Sequence, residues 1–187
     1  MEQSSSDYTG LVSLFEEFRE FIKPAVVDGV PDFTAAAMQQ QHEGLKRLQE
    51  RLVAIEIGEW SVAEQVDYHV VRAEMNGVEF DHSVLRQWAR DPGFYNLSDG
   101  IYPRLLVHHS RSLSDWGLYK PELPLSADGV ADFRVKLQAV AKLFDQAKTN
   151  LAEAAGDLTT VAIRIKEKDL QLLEFLKAGF AEHHPEL

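Results

Sequence analysis

The chain has 187 residues, 45% of them hydrophobic, which is enough to build a core and argues against wholesale disorder. Its formal net charge of -11 opposes non-specific binding to nucleic acid, since no basic stripe is present to neutralise phosphates, and opposes adsorption to anionic membranes. It contains no cysteine, so disulfide frameworks and thiolate chemistry are excluded.

The first residues, MEQSSSDYTG, are polar and acidic and lack the basic and apolar regions of a signal peptide. No stretch reaches the roughly 18 apolar residues of a membrane span. A soluble, cytoplasmic protein is the default expectation. Leu11, Leu14, Phe15, Phe18 and Ile22 mark one face of a first helix, which must stop by Pro24. VDGVPDF reads as a turn-rich connector. A second helix begins after Phe33, with Met38, Leu45, Leu48, Leu52 and Ile55 on one face, and IGEW breaks it.

Ser61 followed by Glu64 reads as a capping box. From there Val66, Val70, Ala73, Gly77, Phe80 and Val84 form one stripe, and Val71, Met75, Val78 and Leu85 a second beside it. So broad an apolar face predicts a helix central to a bundle. The stripe keeps phase through Asn76-Gly77, so the helix is expected to continue to Asp91-Pro92, where the residue before proline is pushed out of the α region. Trp88 would continue its face, and Arg90 in the last turn suits the negative end of the helix dipole. Phe94, Tyr95, Ile101 and Tyr102 would fold back as apolar cover. The alternative is that Arg90, Tyr95 and Tyr102 line a cleft, since Arg and Tyr suit carboxylate and peptide recognition.

Residues 91–127 hold four prolines and three glycines and read as an irregular connector, with a short helix around Tyr102 to Ser110. Order then returns. Val130, Phe133, Leu137, Val140, Phe144, Ala147, Leu151 and Ala154 form a heptad seam. Gly156-Asp157 supplies a stop and a new cap. Leu158, Ala162, Ile165, Leu172 and Leu176 form a partner stripe, which makes an antiparallel helix hairpin. Each arm would be about 35 Å long. Asp169 falls on the second stripe and is expected to be paired or near an open end. The predicted class is all-α: a helical bundle of about five main helices with a long C-terminal hairpin and an irregular central segment. Residues 1–187 would form a single helical domain or the N-terminal portion of a larger chain.

Signatures of chemistry are sparse. There is no G-x-S-x-G, P-loop, G-x-G-x-x-G or H-E-x-x-H. Glu79 and His82 form one Glu-x-x-His, a pair that di-iron bundles use in duplicate, but no second copy is present. His108-His109 and His183-His184 offer imidazoles, but adjacent helical side chains point about 100° apart and rarely share one ion. No catalytic, cofactor or metal residue is therefore assigned.

QVDYHVVRAEMNGVEFDHSVLRQWARDPGFY resembles the N-terminal part of the bacterial family called domain of unknown function (DUF) 885. The matching features are Val66-Asp67-Tyr68, Val71-Arg72-Ala73-Glu74 and Arg90-Asp91-Pro92-Gly93-Phe94-Tyr95. LKRLQERLVAI and FRVKLQAVAKLFDQAKTNL are similar to its second helix and to its helix ending in Ala-x-x-Asn-Leu. The similarity spans residues 31–180 in order.

The resemblance implies a mostly helical protein related to zinc metallopeptidases. Their H-E-x-x-H helix lies later in a longer chain, so zinc is implied only for a full-length member. It implies a non-catalytic helical portion that walls a substrate cleft, with a catalytic half as partner and a peptide as substrate. On that reading AEHHPEL looks like an interruption, and an exposed apolar surface is expected. The alternative is a self-sufficient helical binding or assembly module, closed internally or by a second copy. A third reading is a metal-carrying bundle around Glu79 and His82.

Overall fold

The computed structural model describes residues 6–97, 123–153 and 155–185. Among the described residues the fold is all-α, with five long helices and one very small sheet. It divides into two compact units: residues up to Pro24 with Ala35–Leu85, and Ala25–Thr34 with the chain from Arg86 onward.

The first unit packs three helices, α1 (Ser6–Phe21), α2 (Ala35–Val53) and α3 (Val62–Phe80). Leu11, Leu14 and Phe18 lie three and four residues apart on α1 and are buried with Leu45, Leu48 and Leu52 of α2. Tyr68, Val71, Met75 and Val78 of α3 complete this core. Burying each of the larger side chains contributes about 1.5–3 kcal/mol. Gly44 lets the Phe21 ring approach closely: a Cβ there would overlap the ring unless the ring moved. Trp60 closes one end, edge-on to Tyr8 and Tyr68 with centroids 5.7 Å and 6.5 Å away. The predicted capping box is present: the Ser61 hydroxyl accepts from the Glu64 amide, and the Glu64 carboxylate accepts from the Ser61 amide at 2.9 Å.

α3 passes through Asn76-Gly77 without a break, as its phase predicted, and opens into a π-helical turn at Asp81–Leu85. It does not reach Asp91. Arg86 is left-handed, with φ 47° and ψ 48°, and the path restarts as a short helix α4 (Gln87–Arg90). Trp88 therefore belongs to a separate element.

In the second unit the stretch read as a connector contains a hairpin of β1 (Val26–Val27) and β2 (Val30–Pro31), with Val27 opposite Val30. Asp28 and Gly29 both take positive φ, 52° and 79°, the requirement of a type I′ turn. Helix α5 (Ala127–Asn150) starts at Ser126, whose hydroxyl accepts from the Gly129 amide at 3.2 Å. Helix α6 (Gly156–His183) returns antiparallel. Phe133 near the start of α5 meets Phe180 near the end of α6, centroids 4.7 Å apart, and Lys166 lies over the Phe144 ring.

α5 ends at Asn150, earlier than the predicted seam, and the first helical turn of α6 follows Ala155 with no side-chain cap. Asp157 lies inside that turn rather than capping it. The connector backbone is held elsewhere: the Glu153 and Ala155 amides donate to the carbonyls of Ala89 and Arg90. The buried face of α5 is also rotated from the predicted seam. Phe133 and Ala147 are buried as expected, but Ala139, Leu143 and Asn150 join them, while Leu137, Val140 and Phe144 are half-buried. The cause is that α5 packs against β2 and α4, while its contacts with α6 include Phe133 on Phe180 and Phe144 under Lys166.

Candidate functional site

The segment from Arg90 to Leu97 holds Arg90 and Tyr95, two of the three residues the sequence offered for a cleft. Asp91 ends α4 and begins a 3-10 turn at Pro92–Phe94, with its carboxylate accepting from the Gly93 amide at 2.8 Å. The turn aims Tyr95 inward. Tyr95 is 1% exposed; its hydroxyl donates to the Trp88 carbonyl at 2.6 Å and accepts from Asn150 Nδ2 at 2.8 Å. Asn150 also donates to the Phe33 carbonyl at 2.7 Å, and Phe33 stands edge-on to Phe94 and Tyr95. Tyr95 is thus an interior brace, not a cleft wall. Burial pushes its phenol up to about 12.

Beneath the same turn, Asp169 is buried. One carboxylate oxygen accepts from the Leu97 amide and the other from Lys166 Nζ, both at 2.9 Å. Lys166 also donates to the Tyr95 carbonyl. Burial pulls the Lys166 ammonium below the ordinary lysine value, and Asp169 opposes that shift. Asp169 is therefore paired, as its place on an apolar stripe required. Arg90 is half-buried at the end of α4, and its carbonyl receives the Ala155 amide at 3.4 Å. Tyr102 and His108-His109 lie outside the described residues. The structure brings Arg90 and Tyr95 into one segment whose polar groups serve to tie it to α5 and α6.

Asn150 entered the sequence reading only as the asparagine of the Ala-x-x-Asn-Leu helix end, and Lys166 was not singled out. A usable signal existed for Asn150, an amide three residues after Ala147 on the buried face. Lys166 offered none, because one lysine on a charged helix resembles its exposed neighbours.

In the first unit Glu79 faces His42 of α2 rather than His82. His42 Nε2 lies 2.8 Å and 2.9 Å from the two Glu79 oxygens, and the His42 and His82 rings stack at 5.2 Å. Among the described residues, no group of three or more His, Cys, Asp or Glu is arranged to hold a metal ion. His184 is buried, and its Nε2 accepts from the Leu125 amide at 2.7 Å, which fixes the entry to α5.

The outer face of α3 is different in kind. Val71, Met75 and Val78 of the second stripe are buried, and Leu85, in the π-helical turn, is half-buried. The other stripe, predicted to lie within a bundle, faces outward: Val66 is 54% exposed, Val70 53%, and Phe80 and Val84 50% each. Among the described residues, α1 and α2 cover one side of α3, and the opposite side is exposed.

No protein-family model, curated protein or solved structure matches this chain. The resemblance to the DUF 885 family rests on the residues quoted for it. No described helix is long and apolar enough to cross a membrane.

Proposed function

We propose that this chain is a non-catalytic helical element that works by docking, with the outer stripe of α3 as its docking face. The observation that carries this reading is the row of half-exposed valines and phenylalanine from Val66 to Val84. Val66, Val70 and Phe80 on α3, with Val84 on the π-helical turn that follows, support an interaction site rather than scattered surface apolarity. The polar groups around Tyr95 point the same way, because they are engaged in holding the backbone. The resemblance to DUF 885 proteins gives the reading its finer form: a helical portion beside the substrate cleft of a peptidase-related protein. The self-contained binding module remains the second reading, favoured by the buried cores of both units.

Two measurements test it together. Zinc-supplemented chain should hydrolyse peptides no faster than buffer. A fluorescent apolar probe should bind the native chain and be released by the double substitution Val70→Asp, Phe80→Asp. Peptide turnover would overturn the non-catalytic reading, and probe binding that ignores the substitution would overturn the docking face.

A further inference from the structure

The direction of one hydrogen bond makes the C-terminal end of α6 sensitive to acid. His184 closes that end and is 8% exposed, with its ring centroid 6.2 Å from that of Phe180, which packs on Phe133 of α5. Its Nε2 lies 2.7 Å from the Leu125 amide nitrogen. A backbone amide can only donate. Nε2 must therefore offer its lone pair, so the ring is neutral and carries its proton on Nδ1. A ring with protons on both nitrogens has no lone pair left, and would set two N–H groups against each other in a buried place. That requirement holds whatever Nδ1 bonds to.

The bond sits where α5 begins. Leu123 lies against the last turns of α6, so close that a Cβ on Gly179 would fall 2.6 Å from its Cδ1. Two residues later the Leu125 amide donates to His184, and Ser126 then caps α5. The charged and titratable groups that the two helices carry here are Asp128, Asp132, Arg134 and Lys136 on α5, and Glu182 and His183 on α6. Lys136 is half-buried and paired with Asp132 at 2.9 Å, and the others are exposed to solvent. We propose that His184 is an acid-released latch: it seats the entry of α5 on the end of α6 while its ring is neutral, and lets it go when the ring takes up a proton. Acid then frays this end of the hairpin and exposes Phe133 and Phe180. Asp169 and its bond to the Leu97 amide lie roughly 20 Å back along α6, outside the freed end.

The test is amide hydrogen exchange by NMR on the full chain, corrected for the intrinsic rate at each pH. Protection of the Leu125 amide should fall about ten-fold between about pH 7.5 and about pH 5, because an imidazole free in water takes up a proton in that range. The latch is complete above the range and is lost as pH falls through it. Protection of the Leu172 amide, further back on α6, should change by less than about two-fold. His184→Gln places an amide oxygen where Nε2 stands, and an amide does not titrate, so Leu125 protection in that variant should be level across the range. The other histidines remain in it, so a fall that persists there belongs to them and overturns the proposal. If His184→Gln does not fold, the parent chain decides alone. The nitrogen chemical shift of His184 Nε2 should report an unprotonated atom at neutral pH, and a protonated Nε2 overturns the proposal. So does Leu125 protection that is equal at the two pH values, or a loss shared by every amide of α5 and α6.

Discussion

Tyr95 concentrates the physics of the second unit in one side chain. Removing its hydroxyl in Tyr95→Phe leaves the Trp88 carbonyl and one Asn150 proton without their partner in a dry interior. The expected loss is about 1–3 kcal/mol, read from denaturant midpoints at neutral pH. The same group sets an alkaline limit. Because burial raises the phenol from 10.0 to about 12, the folded chain holds this proton more tightly than the unfolded chain does. Its contribution is complete below pH 10 and is lost as pH rises through 12, amounting to about 2–3 kcal/mol. Stability measured on either side of that window should fall more steeply in the parent than in Tyr95→Phe. An equal fall would show that the phenol is not the titrating group. Asp169→Ala should cost more, about 3–5 kcal/mol, since it strands Lys166 beside the Leu97 amide. Asp169 was legible in the sequence as a carboxylate on an apolar stripe. The inward turn of Tyr95 was not, because Asp91-Pro92-Gly93 announces a turn without fixing its direction.

At the level of elements, periodicity located the five long helices and the Ser61 cap. It also found both stripes of α3. It could not tell which stripe lies inside, because both have helical spacing and only tertiary packing chooses between them. α1 and α2 supply one covering face, and Val71, Met75 and Val78 take it. The break at Arg86 was equally hidden, since a left-handed arginine has no signature in the sequence. The β1–β2 hairpin had a strong short-range signal, Asp28-Gly29 between Val27 and Val30, which reading VDGVPDF as a turn-rich connector did not use. Gly29 holds φ 79°, so Gly29→Ala should destabilise by about 1 kcal/mol, with Gly29→Asn milder. Equal midpoints for Gly29→Ala and the parent chain would mean the hairpin is not held in that turn.

Across the whole molecule, each unit has its own buried core, one around Leu45 and Met75 and the other around Leu143 and Ile165. Leu45→Ala should lower hydrogen-exchange protection chiefly in α1 to α3, and Leu143→Ala chiefly in α5 and α6, each by about 2–5 kcal/mol. Uniform loss across both units from either change would mean a single cooperative body. The central claim is that the first unit closes its core with one face of α3 and leaves the other for a partner. The most direct test is a pair of denaturation curves at neutral pH, one for Val70→Asp with Phe80→Asp and one for Val71→Asp with Val78→Asp. The account predicts that the outer pair stays within about 1 kcal/mol of the parent, while the inner pair prevents folding of the first unit. Outer substitutions as damaging as the inner ones would contradict it.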